Sequence, residues 1–224
     1  MPLDTIPQRI AAARGRIAAA CTRAGRWPDD VTLIAVTKSF GPDAVLAVTA
    51  AGVGDIGENR VQEAQTKRNA LPDLPPGVRW HMIGHLQTNK AGSIASLFDT
   101  IHSVDSIRLA EAISRRAQRS MPAFLEVNVA GEATKSGLSL AELPSAHAAI
   151  SRLPNIDLRG LMTVAPIANS PENVRRVFRR LAEEARRLGL RDLSMGMSDD
   201  FEIAIEEGAT HVRLGRALFG KRVE

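Results

Sequence analysis

The sequence has little of what marks several specialised classes of protein. Its single cysteine, Cys21, excludes an internal disulfide and fits a reducing compartment, so we expect the cytoplasm. No apolar run approaches the roughly 20 residues that a membrane-spanning helix needs. Residues 1–26 lack the apolar core of a signal peptide. We find no linker between domains and expect one domain over residues 1–224, with no membrane partner.

Aromatic side chains are scarce as well, at 4% of the chain, and tyrosine is missing altogether. Proteins that bind single-stranded nucleic acid combine positive charge with interleaved aromatic side chains, and this chain has a net charge of +4 without such aromatics. In residues 173–188 the arginines take one helical face, opposite an apolar stripe. That pattern is typical of a solvated helix face, and we expect no nucleic-acid partner.

What the chain does have is a regular alternation of strand and helix patterns. After an amphipathic helix at about 6–24, eight strand candidates are separated by helical segments: 32–38, 55–58, 79–83, 100–104, 123–129, 158–164, 193–197 and 211–214. Repeated βα units form either a closed barrel or a doubly wound sheet. No G-x-G-x-x-G fingerprint follows the first strand, which disfavours the doubly wound sheet. We predict an α/β fold, a (β/α)8 TIM barrel with an extra N-terminal helix.

This fold predicts where the chemistry lies, because barrel active sites form at the C-terminal ends of the strands. The polar residues at those ends are Lys38, Glu58, Asn59, His81, Ser103, Asn128, Thr163, Ser198 and Arg213. Lys38 is the most informative of them, since it follows the apolar, β-branched run 32–37. A partly desolvated amine is favoured in its neutral form, which can attack an aldehyde to form a Schiff base. The alternative is a lysine that reaches solvent from a strand end.

Two further segments favour an anion site near the last two strands, where barrels frequently bind phosphate. Ser198 offers a hydroxyl just before a helix, Gly215 permits close backbone approach, and Arg216 adds positive charge. The alternative for Ser198 is a plain helix N-cap. Arg213 is predicted to face the barrel interior, either as a donor to a ring nitrogen or an anion, or in an ion pair with a carboxylate such as Glu126.

A metal site is not expected. His81 and His85 are four residues apart, a spacing that spans about 13 Å on a strand and does not bring two ligands to one ion. No cysteines support such a site.

Nine segments, in order along nearly the whole chain, resemble the pyridoxal phosphate homeostasis protein family. They are IAVTK at 34–38, GENRVQE at 57–63, WHMIGHLQTNK at 80–90, HSVDS at 102–106, EVNV at 126–129, KSG at 135–137, GLMT at 160–163, SMGMSDD at 194–200 and VRLGRALFG at 212–220. The resemblance implies a barrel like the N-terminal domain of alanine racemase. It also implies the cofactor pyridoxal 5′-phosphate (PLP), held as a Schiff base on Lys38.

The resemblance also assigns the other site residues. Arg213 is expected to face the pyridine nitrogen, and Ser198, with the backbone of Gly215 and Arg216, is expected to hold the phosphate. The remaining pocket candidates are Asn59, His81, Asn128 and Met162. The chain departs from the family pattern at His85, where proline is common, and at Arg216, where a small hydroxyl residue is usual. The second departure puts one phosphate contact in doubt.

Three functions remain open from the sequence. The first is a PLP-binding protein of vitamin B6 homeostasis that delivers PLP to PLP-dependent apoenzymes with little or no turnover, as a monomer or weak homodimer. The second is a PLP-dependent amino-acid racemase or related enzyme. Racemisation in the alanine racemase manner needs a tyrosine acid/base, so His81 would have to substitute for it. The third is a cofactor-independent lysine aldolase acting on sugar phosphates, which accounts for Lys38 and the phosphate segments but not for the resemblance.

Overall fold

Eight parallel strands close into one barrel, in which each strand pairs with the next along the chain and the last pairs with the first. The computed structural model describes residues 5–132, 134–166 and 170–220, without the side chain of Ser93. The strands are β1 (Thr32–Val36), β2 (Asp55–Glu58), β3 (Arg79–Met82), β4 (Thr100–Val104), β5 (Met121–Glu126), β6 (Ile156–Met162), β7 (Asp192–Ser194) and β8 (His211–Leu214). The predicted TIM barrel is confirmed.

Helices connect the strands on the outside of this barrel. They are α1 (Ile6–Arg23), α2 (Pro42–Ala50), α3 (Val61–Ala70), α4 (Ala91–Leu97), α5 (Ile107–Arg116), α6 (Leu143–Ile150), α7 (Pro171–Arg187), α8 (Phe201–Glu206) and α9 (Arg216–Phe219). The extra N-terminal helix is α1, which packs against α2, α8 and α9. Its buried side includes Ile10, Ile17 and Cys21. Within the described ranges, the helices include none with the length and apolar character to cross a membrane.

The predicted strand bounds agree with the structure at three of the eight strands. β2, β4 and β8 match their predicted ranges, whereas β5 begins two residues and ends three residues earlier than 123–129. The reason is that the chain folds back after Glu126, so that Val127 bridges to Leu138 and the Asn128 N–H donates to the Leu138 carbonyl. β7 ends at Ser194 because Gly196, at φ +92°, turns the chain there.

Helix α7 shows how the arginine-rich faces are accommodated. Its N-cap Ser170 accepts a hydrogen bond from the Asn173 N–H, and its apolar stripe, which includes Phe178 and Leu181, is buried. On the outer face Arg175 and Arg179 form ion pairs with carboxylates of the α8 region, Glu206 and Glu207. These arginines therefore join α7 to the neighbouring element, and the described interactions account for them within the fold.

Gly160 is expected to be essential to the packing of β6 against β7. A methyl group added there would lie 1.9 Å from the backbone oxygen of Asp192, which cannot yield as a flexible side chain would. We expect Gly160→Ala to lower the free energy of unfolding by about 3 kcal/mol or more, the upper range for overpacking. Urea denaturation measures this change.

The matched control is Gly15→Ala on the exposed side of α1, where an added methyl group meets nothing within 4 Å. We expect this change to stabilise the protein by about 1 kcal/mol, because alanine is the better helix former. Equal unfolding midpoints for the two variants would contradict the packing argument.

Candidate functional site

A cavity of about 970 Å³ opens at the C-terminal ends of the strands. Six of the nine predicted site residues line it: Lys38, Asn59, Ser198, Arg213, Gly215 and Arg216. They come from the segments that follow β1, β2 and β7 and from β8 with the turn after it. Barrel closure thus brings together side chains that are up to 178 residues apart in sequence (Lys38 to Arg216).

The other three predicted residues are not among the described residues that line this cavity. His81 lies buried inside the barrel and contacts Asp55 and His102. The side chain of Asn128 exchanges hydrogen bonds with the backbone of Glu132 and so closes the loop after β5. Met162 is buried at the end of β6. Their assignment to the cofactor site stays a prediction.

Lys38 is held on a turn that begins directly after β1. The strand ends at Val36, two residues before Lys38, and Lys38 is half-buried. The next residue, Ser39, has φ +65°, a left-handed conformation that is uncommon for a residue with a side chain. Its backbone N–H donates to Glu63 Oε1 at 2.5 Å, and the Phe40 N–H donates to the Thr37 carbonyl at 3.0 Å. These contacts fix the position from which the Lys38 side chain extends.

A buried group of polar side chains supports this turn from the side of α3. Lys67 Nζ donates to the Thr37 carbonyl at 2.7 Å, to Glu58 Oε1 at 2.5 Å and to Glu63 Oε1 at 2.8 Å. The Thr37 hydroxyl also donates to Glu58 Oε1, at 2.5 Å. We call Thr37, Glu58, Glu63 and Lys67 the anchor cluster. Burial raises the pKa of Glu58, and the hydrogen bonds from Lys67 and Thr37 oppose that shift.

The anchor cluster was missed by the sequence analysis, which placed Glu58 among the polar groups at the rim. Glu58 faces α3 instead, because it alternates along β2 with the inward-facing Gly57, whose position is crowded by Ile34 and Ile83. One signal for the cluster was available in the sequence. Glu63 and Lys67 have the i,i+4 spacing that pairs opposite charges on a helix.

Arg213 lies on the inner side of the cavity and is almost completely buried. Its Nη1 donates to Ser194 Oγ at 2.6 Å and its Nη2 donates to the Thr163 carbonyl at 2.9 Å. Burial lowers the pKa of Arg213 to about 10, so the guanidinium remains charged at neutral pH. Of the two interpretations, the structure favours a fixed donor, since both acceptors are neutral oxygens. The carboxylates of Asp200 and Glu126 act on Arg213 only as more distant charges.

Ser198 and Arg216 bring the segments after β7 and β8 together. The Ala217 N–H donates to Ser198 Oγ at 3.0 Å, and Arg216 forms an ion pair with Asp199 on the exposed side. Ser198 is not the N-cap of the next helix. That residue is Asp200, whose carboxylate accepts from the Met197 N–H at 2.5 Å. Instead, the Ser198 oxygen accepts from a backbone N–H in the first turn of α9.

The histidine pair considered as metal ligands is divided between two environments. His81 is inside the barrel, whereas His85 is 59% exposed and contacts Asp105, with Nδ1 3.1 Å from Oδ2. In the part of the chain that the structure describes, we find no group of three or more side chains suited to hold a metal ion.

Comparisons with known proteins agree on one family. The family model of the alanine racemase N-terminal domain matches residues 10–223. The pyridoxal phosphate homeostasis protein of Pseudomonas aeruginosa is 45% identical over 98% of this chain and 97% of its own length. That of Aquifex aeolicus is 42% identical over 96% and 97%. The structure of PipY from Synechococcus elongatus with PLP bound has a TM-score of 0.85 and 37% identity, covering 96% of this chain and all of PipY.

The anchor cluster makes a prediction about stability. In Lys67→Met the buried Glu58 carboxylate loses its cationic partner, and breaking a buried ion pair from one side costs about 3–5 kcal/mol. We expect a loss of that size in urea denaturation, and a partial recovery when Glu58→Gln is added to remove the unpaired charge.

Arg115→Met is the matched control, because it breaks the exposed i,i+4 pair of Arg115 with Glu111 on α5. Its cost is expected to stay below about 1 kcal/mol. The assignment of a supporting role to the cluster is wrong if Lys67→Met costs no more than this control.

Proposed function

Since this chain belongs to the pyridoxal phosphate homeostasis protein family, we propose that it binds PLP in the cavity at the C-terminal ends of its strands. In this proposal the Lys38 amine holds PLP as a Schiff base. The observation that carries the proposal is that Lys38, Arg213 and Ser198 line one and the same cavity. The P. aeruginosa and A. aeolicus relatives are named for PLP homeostasis, and PipY has been solved with PLP bound.

The donors that line the cavity fit the chemistry of this cofactor. When bound, PLP supplies an aldehyde that condenses with an amine, a pyridine nitrogen that accepts a hydrogen bond, and a phosphate. Lys38 offers the amine, and Arg213 offers N–H groups that only donate. Ser198 offers a hydroxyl, and Arg216 offers a guanidinium near it. Each of these three groups of the cofactor thus has a residue of matching chemistry.

We assign the phosphate to Ser198, the backbone of Gly215 and Arg216, with Asn59 as a further lining contact. In this chain the Arg216 guanidinium is paired with Asp199. A phosphate at this position would compete with the Asp199 carboxylate for that guanidinium. A small hydroxyl residue at this position, as is usual in the family, would bring no such competition. The departure from the family pattern at Arg216 therefore bears directly on this phosphate contact.

We propose that the function of the bound state is delivery of PLP to PLP-dependent apoenzymes, with little or no turnover. Arg213 supports this view, because a charged guanidinium cannot protonate the pyridine nitrogen and so leaves the ring a weak electron sink. The racemase alternative needs a second acid/base. The chain has no tyrosine, and His81 is engaged with Asp55 and His102 inside the barrel.

The setting that we propose is the cytoplasm, with the protein as a monomer or weak homodimer. The buried thiol of Cys21 fits a reducing compartment. Among the described residues, the large apolar side chains that are exposed stand in separate segments of the chain, namely Trp27, Leu46, Ile107 and Met197. They give no support for an extensive apolar interface.

The first prediction concerns Lys38. With PLP added, the protein is expected to show a visible absorbance band that is lost in Lys38→Ala. Borohydride reduction is expected to fix the cofactor's mass on the peptide that contains Lys38. Lys90→Ala, at a lysine that does not line the cavity, serves as the control and should keep the band. No band in the unsubstituted protein would reject the proposal and favour the aldolase hypothesis.

The second prediction concerns delivery. PLP-loaded protein is expected to activate a PLP-dependent apoenzyme faster than free PLP at equal concentration, because transfer takes place inside a complex of the two proteins. Release of PLP into solution before capture would make activation no faster than with free PLP. The rate of apoenzyme activation measures this. Equal or slower activation would reject delivery, and a changed enantiomer ratio after long incubation with L-amino acids would favour the racemase.

A further inference from the structure

A continuous series of hydrogen bonds connects Arg213 to the opposite end of the barrel. Arg213 Nη1 lies 2.6 Å from Ser194 Oγ, which lies 2.7 Å from His102 Nδ1. His102 Nε2 is 2.9 Å from His81 Nδ1, and His81 Nε2 is 2.8 Å from Asp55 Oδ1. We call these five residues the polar column. Because β4 and β7 are not neighbours, the contact between His102 and Ser194 crosses the barrel interior.

The ring of His102, at the centre of the column, is fixed by its neighbours. Phe124 stacks on it with ring centroids 4.4 Å apart and planes within 8° of each other. His211 meets it edge-on, at 5.7 Å and 72°. His102 is fully buried. These contacts hold the imidazole plane so that its two nitrogens face Ser194 and His81.

The end groups determine the direction of the hydrogen bonds at the two ends of the column. A guanidinium only donates and an ionised carboxylate only accepts. Burial raises the pKa of Asp55, but the hydrogen bonds from His81 and Arg79 outweigh it, so the pKa lies below its ordinary value and Asp55 is ionised at neutral pH. His81 Nε2 therefore donates to Asp55. Ser194 Oγ accepts from Arg213, and among the described contacts its hydroxyl proton has His102 Nδ1 as its acceptor. The proton of His102 therefore lies on Nε2 and is donated to His81 Nδ1.

The same reasoning extends to Ser194. Burial lowers the pKa of His102 well below its usual range, and its neighbours His81, His211 and Arg213 shift it in the same direction. His102 is therefore neutral, and with its proton on Nε2 it accepts at Nδ1. Among the described residues, the donor within hydrogen-bond distance of that nitrogen is the Ser194 hydroxyl. With its single proton committed to His102, the Ser194 oxygen presents its lone pairs to Arg213.

We propose that Ser194 and His102 are positioning residues that orient the guanidinium of Arg213 toward the cavity through this one-directional column, which Asp55 terminates. The identity of the ligand as PLP rests on the proposed function, whereas the column itself does not. The Ser194 oxygen and the Thr163 carbonyl hold the two terminal nitrogens of the guanidinium. These two acceptors take up two of the five N–H groups of the guanidinium, which leaves three that can donate to a ligand. A neutral His102 places no second positive charge beside Arg213.

The direction of the column is tested on the ligand-free protein. Two-dimensional ¹⁵N NMR distinguishes imidazole tautomers, and the chain has only five histidines to assign. At pH 7.5 we expect His102 to be neutral with its proton on Nε2, and His81 to carry a proton on Nε2. A protonated His102, or a proton on its Nδ1, would overturn the proposal.

The positioning role is tested with Ser194→Ala and His102→Phe. Each is expected to weaken PLP binding about tenfold, the scale for one hydrogen bond to a charged group, and to shift the visible band of the bound cofactor. The control is Ser114→Ala, which removes the hydroxyl of a buried serine on α5 that donates to the Pro154 carbonyl outside the column. We expect the control to keep the wild-type band and affinity.

A third measurement separates this proposal from the proposed function. In ligand-free protein the side-chain N–H signals of Arg213, identified with Arg213→Lys, should be sharp and should broaden in Ser194→Ala. Unchanged Arg213 signals in Ser194→Ala would overturn the positioning role even if PLP binds. Failure of the unsubstituted protein to bind PLP would reject the proposed function. The histidine tautomers and the Arg213 signals would still decide whether the polar column exists and orients Arg213.

Discussion

The pairing of β8 with β1 is the interaction on which the candidate site depends. Four residue pairs, from Thr32 with His211 to Ala35 with Leu214, join the first strand to the last and close the barrel. In an open sheet with the same strand order, the turn that carries Lys38 and the segment that carries Arg213 and Gly215 would lie at opposite edges. Closure makes them neighbours at one mouth, and every assignment made for the cavity follows from that adjacency.

Two buried cations near this mouth are stabilised in different ways. Lys67 is surrounded by carboxylates, since Glu58 and Glu63 both accept from its amine. Arg213 donates to a hydroxyl and a carbonyl, which fix the orientation of the guanidinium without neutralising its charge. The first arrangement suits a structural support, in which charge is cancelled inside the protein. The second suits a group that meets a ligand, because an oriented donor prepared in advance costs little on binding.

Much of the fold was predictable because hydrophobic periodicity and turn residues repeat eight times along the chain. The positions of Lys38 and Arg213 followed from strand ends and from alternation along β8. Glu58 was misplaced because the sequence does not state which face of a short strand is inside when both faces are buried. The polar column was not predictable, since it joins β2, β3, β4, β7 and β8 across the barrel, and no local pattern records such contacts.

The stacking of Phe40 on Phe219, with ring centroids 4.6 Å apart, ties the turn after Lys38 to α9, near the end of the chain. A ribosome synthesises Lys38 178 residues before it reaches α9. Until the segment through Phe219 has left the exit tunnel, the nascent chain has the amine but neither the guanidinium of Arg213 nor the wall formed by α9. A nascent chain that stops short of α9 therefore presents Lys38 without the cavity that surrounds it in the folded protein.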